Sequence, residues 1–235
     1  MKIPPFRRSS AVQAAAFAGL VGILLLAVFV RNVSPAFLCF AFVALMLAVL
    51  YASFEKRRPQ ARELVPIAVL SAVAAIGRVA FAPFPYVKPV SAIVILAGVA
   101  LGPQAGFATG ATAALVSNFF FGQGPFTPWQ MFAWGLMGLA AGALARRGLL
   151  QKLPFLCVYG FAACFFYGWI MDVWQLLGYV SPLNLVSAIP VFAASFYFDL
   201  THAVATVVFL LLIAKPWLRV LTRVRDKYGL TGPRA

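Results

Sequence analysis

Acidic residues are scarce in this sequence. Its 235 residues include five Asp and Glu against nineteen Lys and Arg, so the formal net charge is +14. A strongly basic balance often indicates a nucleic-acid partner. Here, however, the basic residues lie mostly in short segments that flank apolar runs, as the orientation of a protein in a lipid bilayer requires. We therefore expect a protein of the lipid bilayer that binds no nucleic acid.

Residues that hold metals or form disulfides are also few. Cys39, Cys157 and Cys164 lie inside apolar runs, without the spacing of a metal site or of a disulfide framework. The one histidine, His202, has no accompanying set of metal ligands. No nucleophile–base constellation and no glycine-rich phosphate loop ending in Lys-Ser or Lys-Thr is present. We expect no enzyme, no cofactor, no metal and no ATP site in this chain.

Apolar residues are abundant instead. The chain is 63% hydrophobic and only 10% charged, which predicts an all-α integral membrane protein. Its apolar runs predict eight transmembrane helices: Ala11–Val30, Ala36–Phe54, Leu64–Ala82, Ser91–Leu101, Ala105–Phe121, Trp129–Leu144, Leu153–Leu177 and Ala188–Ala214. The first run is too long for a typical signal peptide and lacks a convincing cleavage site, so we interpret it as a membrane span.

The charged segments divide the chain into four parts. Residues 1–54 form a predicted transmembrane hairpin, and residues 55–63 form a basic linker. Residues 64–214 form a six-helix membrane domain, and residues 215–235 a basic tail.

Orientation follows from the distribution of Lys and Arg among the connecting segments. One side of the membrane would receive Lys2, Arg7, Arg8, Lys56, Arg57, Arg58, Arg62, Arg146, Arg147, Lys152 and the six basic residues of the tail. The other side would receive only Arg31 and Lys88. The positive-inside rule then predicts that both termini and the linker are cytoplasmic. It also places the loops Pro83–Pro89, Gly122–Pro128 and Gly178–Ser187 together on the outside.

Two predicted spans are unusually short. Ser91–Leu101 and Ala105–Phe121 both fall below the roughly 20 residues that usually cross the hydrocarbon core. Irregular backbone at membrane depth persists only beside a cavity or inside protein, so short spans often surround a ligand site. We therefore expect a ligand site at the outer end of this region.

Amide and aromatic side chains are interleaved at that outer end. An interfacial aromatic belt would explain some of the aromatic residues, but a belt does not require amides among them. Amides that both donate and accept hydrogen bonds, set among aromatic faces, suit a sizeable polar organic ligand. The candidate substrate-binding residues are Phe84, Tyr86, Lys88, Asn118, Phe121, Gln123, Trp129, Gln130, Trp134, Trp169, Trp174, Gln175, Asn184, Asp199 and His202.

Four ionisable residues lie within or near the apolar spans: Arg78, Asp172, Asp199 and His202. Such groups are costly in hydrocarbon and indicate function or a specific partner. Asp199 and His202 share a helix face. They favour a proton relay, a ligand anchor, or a structural ion pair of Arg78 with Asp172 or Asp199.

Small residues at four-residue spacing predict close helix packing. Gly106, Gly110 and Ala114 form one such series, and Gly138 and Gly142 form another. We expect both to pack inside the bundle. The third span carries Ala68-x-x-x-Ala72 and Ser71-x-x-x-Ala75, which could face either the bundle or a partner subunit.

The central sequence resembles the substrate-binding S components of energy-coupling-factor (ECF) transporters, the vitamin-uptake systems of bacteria and archaea. The resemblance covers roughly Leu64–Ala214, the length of that family's six-helix core. It is carried by Lys88-Pro89, Ile95–Gly98, Leu101-Gly102-Pro103, Gly106-Phe107, Ser117–Pro125 and Thr127–Met131. The N-terminal hairpin departs from the six-helix pattern.

The resemblance implies a high-affinity vitamin binder in the cytoplasmic membrane of a bacterium or archaeon. It would dock on a transmembrane coupling (T) component with two ABC ATPases, and Ala68 and Ala72 would map to the docking stripe, whose continuation Ile76 interrupts. The motif is most similar to the cobalamin-type subgroup, with riboflavin-type relatives behind it. A stand-alone proton-coupled transporter using Asp199 and His202, or a scaffold protein without a ligand, are the alternatives from other classes.

Overall fold

A computed structural model describes residues 61–182 and 184–228 of the chain, together with Phe37, Ala41, Val43, Ala44, Leu45, Leu47 and Ala48. These seven isolated residues are helical, and no β-strand occurs in the described part of the chain. The predicted first span, Cys39 and most of the basic linker lie outside the described residues. So do most of the second span and the tail beyond Tyr228.

Six helices follow one another in residues 61–228: α1 Ala61–Ala80, α2 Val90–Leu101, α3 Pro103–Phe121, α4 Thr127–Arg146, α5 Leu153–Tyr179 and α6 Leu185–Tyr228. They correspond to the six predicted spans of the membrane domain, so its all-α class is confirmed. Gly102, with φ of +100°, separates α2 from α3. Only glycine adopts this backbone conformation readily, which explains why the two apolar segments do not merge into one helix.

The short helix α2 is the centre of the bundle. Its 12 residues extend about 18 Å, too short for the hydrocarbon core of roughly 30 Å. All of them except Val99 are buried, and α2 contacts each of the other five helices. The segment predicted as a short span is therefore enclosed by protein rather than by lipid.

Three of the six helices in residues 61–228 are long and apolar enough to cross a membrane. The qualifying segments are Glu63–Ala80 of α1, all of α5 and all of α6. Helices α3 and α4 have 19 and 20 residues and are not among these three.

Glycines bring α2, α3 and α4 into backbone contact. A Cβ added to Gly138 would collide with the backbone of Gly106, and one added to Gly98 would collide with the carbonyl of Gly138. Gly142 lies in the same way against the turn before α3. The prediction that these small residues pack inside the bundle is confirmed.

The α1–α2, α3–α4 and α5–α6 connections lie at one end of the bundle, which we call the aromatic end. There Tyr86 stacks on Phe198, with ring centroids 4.4 Å apart. Phe126 meets Trp174 edge to face at 5.9 Å. These contacts join the first two connections to α6 and α5, so the three predicted outer loops share one end of the molecule.

Helix α6 continues well past its predicted end at Ala214. Pro216 lies inside it and lacks the backbone N–H of an ordinary helical residue. Beyond this proline, Leu221 is buried, and Trp217 and Leu218 pack against the core. Packing of this face offsets the missing hydrogen bond, so residues 215–228 of the predicted tail extend the helix.

Candidate functional site

A half-buried arginine is the centre of a polar network near the aromatic end. Arg78 lies in the last turn of α1. Its Nη1 donates to the Oγ of Ser117 and to the Oδ1 of Asn118, both at 2.6 Å. Its Nη2 lies 3.5 Å from the Oε1 of Gln130. One guanidinium therefore joins α1 to α3 and to α4.

Arg78 has no acidic partner among the described residues. Of the described carboxylates, only that of Asp226 forms an ion pair, with Arg225. The ion pair of Arg78 with Asp172 or Asp199, one of the three alternatives from the sequence, is therefore not formed. A buried cation held by neutral acceptors alone is unusual, because buried charges are generally paired.

Aromatic rings flank the Arg78 guanidinium. Its Cζ lies 4.8 Å from the ring centroid of Phe121 and 5.0 Å from that of Trp134. The Nζ of Lys88 lies 5.4 Å from the same Phe121 ring and donates to the carbonyl of Phe81 at 3.0 Å. Burial, and secondly the charge of Arg78, lower the pKa of Lys88 from its ordinary value. Two cations therefore share one aromatic side chain.

Amide and hydroxyl groups extend the network towards the α3–α4 connection. Asn118, which is fully buried, donates through Nδ2 to the Oγ1 of Thr127 and the Oε1 of Gln130, both at 3.0 Å. Thr127 donates to the Oε1 of Gln123 at 2.9 Å. Gln123 in turn donates to the carbonyl of Leu115 at 3.0 Å. This chain of bonds holds the Gly/Pro-rich connection against the end of α3.

Trp134 connects the Arg78 network to a second row of buried polar groups. Its Nε1 donates to the Oγ of Ser91 at 3.0 Å, and Ser91 Oγ lies 2.8 Å from the Nε2 of His202. Tyr167 lies between Trp134 and His202, with ring centroids 4.5 Å and 5.4 Å away. The row crosses the bundle from α4 through α2 to α5 and α6.

Two buried carboxylates meet at a serine between α5 and α6. Ser195 Oγ donates to the Oδ2 of Asp172 at 2.7 Å and lies 3.5 Å from the Oδ2 of Asp199. The Asp199 carboxylate packs against Gly168, where any Cβ would collide with it. One hydroxyl proton is thus placed between two carboxylates of different helices.

The structure brings about half of the predicted site residues together around Arg78. These are Lys88, Asn118, Phe121, Gln123, Gln130, Trp134 and His202. Asp199 lies one helical turn from His202, in the carboxylate pair.

Three predicted tryptophans lie outside this network. Trp129 is only 7% exposed and packs in a separate apolar cluster with Phe107 and Ala111. Trp169 is exposed and contacts Phe166. Trp174 contacts Phe126 of the α3–α4 connection and Tyr179 at the end of α5. Their positions suit packing and an aromatic belt.

Two predicted amides and two loop aromatics also lie apart from Arg78. Asn184 caps the start of α6. Its Oδ1 accepts a hydrogen bond from the backbone N–H of Ser187, and the Oγ of Ser187 accepts one from the backbone N–H of Asn184. Gln175 and Phe84 are exposed. Tyr86, with φ of +62°, is held in place by its stacking on Phe198.

Sequence reasoning did not assign four further members of the network to the site: Ser91, Ser117, Thr127 and Tyr167. Arg78 was noted as an ionisable residue and as a partner in a structural ion pair, but not as a residue of the site. Small hydroxyl residues in apolar helices give little signal, because they also occur where helices merely pack closely. Only the tertiary structure shows that these residues belong to the buried network that contains Arg78.

The family model of the ECF transporter substrate-specific component matches residues 62–221. No curated protein and no solved structure matches the chain significantly. The match covers all six described helices apart from the two ends, and with it the whole Arg78 network. The chain therefore belongs to the family of ECF transporter substrate-specific components, membrane subunits that bind a small molecule and act with a T component and ATPases.

Proposed function

We propose that this protein is the high-affinity vitamin-binding subunit of an ECF-type uptake transporter, with cobalamin or a related corrinoid as its substrate. The observation that carries this proposal is the network around Arg78, whose guanidinium bonds to amide groups and lies beside two aromatic rings at one end of the bundle. Riboflavin or a similar vitamin is the alternative substrate. The substrate-binding residues of the proposal are those of the network, with the exposed ring of Phe121 and the buried ring of Trp134 beside Arg78.

A corrinoid is a broad molecule with an apolar rim and many amide arms. Gln130 is half-buried and presents an amide group that donates and accepts hydrogen bonds, and Phe121 presents an exposed aromatic surface. Asn118 is fully buried and holds Arg78 and Gln130 in position. Such a combination supports recognition of amide arms around an apolar ring. A flavin would use the same aromatic surfaces by stacking, with fewer amide contacts.

The proposed route runs from the outside to the cytoplasm. The many Lys and Arg of the linker, the α4–α5 connection and the tail favour a cytoplasmic position for both termini in an eight-helix topology. The aromatic end, with Lys88 as its basic residue, would then open outward. The proposed location is the cytoplasmic membrane of a bacterium or archaeon, as the resemblance to vitamin-uptake systems implies.

The outer face of α1 is the proposed docking surface for the coupling component. Ala68 and Ala72 are exposed along it, whereas Ser71 and Ala75 are buried against the bundle. The two small-residue series of α1 therefore lie on adjacent faces of the helix, one exposed and one buried. Ile76 continues the exposed series with a larger side chain, so the closest helix approach would occur at the two alanines.

Purification of the full-length protein in mild detergent tests the proposed substrate. A high-affinity binder should retain its vitamin, and a corrinoid or a flavin would be recognised by its visible absorption spectrum. Removal of the ligand followed by titration with cyanocobalamin and riboflavin would rank the two. Binding of riboflavin alone would contradict the corrinoid assignment, and binding of no vitamin below the millimolar range would contradict the vitamin-binding function.

A stand-alone proton-coupled transporter is the second candidate function. The sharing of the Ser195 hydroxyl between Asp172 and Asp199, with His202 one turn away, favours it because such groups can carry a proton. Uptake in cells that lack the coupling component and the ATPases decides between the two. Uptake that persists there and collapses with the proton gradient would support this second function.

A further inference from the structure

The charge around Phe121 is unbalanced among the described residues. Arg78 and Lys88 both lie over its ring, and neither forms an ion pair with a described carboxylate. The two acids of the neighbouring helices, Asp172 and Asp199, bond instead to Ser195. Positive charge is therefore concentrated on the α1–α3 side of the site.

The hydrogen bonds of Arg78 leave part of its guanidinium unused. Nη1 makes both short bonds, and Nη2 makes one long contact at 3.5 Å. Its Nε makes no hydrogen bond to a described residue. A guanidinium has five N–H donors in a planar fork, and this fork suits the paired oxygens of a phosphate or a carboxylate.

The surroundings of Arg78 fix its position before any ligand arrives. Asn118 is fully buried and is itself held by Thr127 and Gln130, and the rings of Phe121 and Trp134 flank the guanidinium. Little side-chain entropy is then lost on binding, because the cation is already ordered. The residue nevertheless remains partly exposed, so a ligand can reach it.

If the network at the aromatic end binds the transported molecule, as proposed above, that molecule supplies the missing negative charge. We propose that Arg78 and Lys88 form an anion subsite that binds a phosphate or carboxylate group of the substrate. The ring of Phe121, which both cations approach, offers an apolar surface to the part of the substrate next to its anionic group. The subsite would select the phosphate-bearing member of a vitamin pair over its phosphate-free counterpart.

Paired ligands test this selection directly. Purified full-length protein would be titrated with cyanocobalamin and its phosphate-free analogue cobinamide, and with FMN and riboflavin, following tryptophan fluorescence. We expect the phosphate-bearing member of the bound pair to bind more tightly to the wild type, by about 10- to 100-fold. Arg78→Gln should reduce this preference to about threefold or less. Arg78→Lys, which keeps the charge but not the fork, should retain an intermediate preference.

Equal affinity for the two members of a pair, or an unchanged preference in Arg78→Gln, would overturn the anion subsite while leaving vitamin binding intact. Because Arg78 also connects three helices, Arg78→Gln could fail to fold. Lys88→Gln, in the connection between α1 and α2, then takes its place. We expect it to reduce the preference for the phosphate-bearing ligand, but less than Arg78→Gln would. Arg219→Gln, on the exposed surface of α6, is the matched control for loss of one positive charge.

Failure to bind any vitamin would overturn the proposed function but not the anion subsite. In that case inorganic phosphate serves as the probe of the subsite. Thermal unfolding would be compared in phosphate and in chloride at equal ionic strength. We expect phosphate to raise the midpoint of the wild type and of Arg219→Gln by about 2–4 °C. The midpoint of Arg78→Gln, or of Lys88→Gln, should not rise. An equal rise in all variants would show only general salt stabilisation and would overturn the anion subsite.

Discussion

Arg78 donates a hydrogen bond of 2.6 Å to the side-chain oxygen of Asn118, and this contact joins the end of α1 to the end of α3 inside the bundle. The amide nitrogen of Asn118 bonds onward to α4. The two residues are 40 positions apart in the chain. The contact explains how three helices hold a polar network inside a largely apolar bundle.

Truncation of Asn118 should weaken both the fold and the ligand site. Asn118→Ala removes the acceptor of Arg78 and the donor to Thr127 and Gln130, and each buried polar group left without a partner costs about 1–3 kcal/mol. We expect a lower free energy of unfolding and weaker vitamin binding, measured by denaturation and fluorescence titration. Gln175→Ala, at an exposed amide, is the control and should change neither by more than about 0.5 kcal/mol. Equal effects of the two substitutions would contradict a specific role for Asn118.

Two tryptophans of α4 should respond differently to substitution. Trp134→Phe removes the donor to Ser91 and part of the ring surface beside Arg78. We expect about tenfold weaker vitamin binding and loss of most of the ligand-induced change in fluorescence. Trp129→Phe alters a separate apolar cluster and should lower the thermal midpoint while affinity stays within about twofold. The reverse pattern would place the ligand on the other face of α4.

Helix contact through glycine predicts a position that tolerates no side chain. Gly138→Ala forces a Cβ into the backbone of Gly106, so we expect destabilisation of about 1–3 kcal/mol despite the better helix propensity of alanine. Gly178→Ala is the matched control, because a Cβ there would meet no atom within 4 Å. It should leave the thermal midpoint unchanged or raise it slightly. A stable Gly138→Ala variant would contradict the close approach of α3 and α4.

Docking on the coupling component should depend on the exposed alanines of α1. Ala68→Leu and Ala72→Leu enlarge an exposed surface without disturbing the core, so vitamin binding and the thermal midpoint should be preserved. Uptake in cells should fall at least about tenfold, because close helix approach does not accommodate the added volume. Val73→Leu, another exposed apolar position of α1, serves as the control and should leave uptake nearly unchanged. Loss of binding together with uptake would mean that the alanines only support the bundle.

The topology can be measured with reporter fusions. Fusions after Ser53, Gln151 and Ala235 should report a cytoplasmic location, because Lys and Arg are concentrated near these positions. Fusions within residues 83–89 or 178–187 should report the outside. An extracellular carboxyl terminus would reverse the proposed direction of the site.

The positions of the helices were largely predictable from the sequence. Apolar runs broken by glycine, proline and charge predicted all six helices of residues 61–228, because a long apolar segment in this composition has no other stable environment than a membrane helix. The turn at Gly102-Pro103 was also predicted, because glycine and proline interrupt the apolar run there. Only the extension of α6 beyond Pro216 was missed, since its packing against the core offsets the proline and cannot be read from local pattern.

The faces of the helices were not predictable in the same way. Trp129 and Trp134 are five residues apart, so with 3.6 residues per turn they lie on different faces of α4. Nothing in the sequence indicates which face is turned to the polar network. The sequence likewise did not indicate which of the two small-residue series on α1 faces the bundle. The structure shows that Ser71 is buried and Ala68 is exposed.

The sequence by itself determined the class of the protein, its helices and the small residues by which they pack, because hydropathy and glycine spacing act locally. The tertiary structure alone decided that Arg78 is held by Asn118, Ser117 and Gln130 rather than by an acid. The physical reason is that a buried charge takes the acceptors that the fold brings to it. Those acceptors come from α3 and α4, some 40 to 50 residues further along the chain.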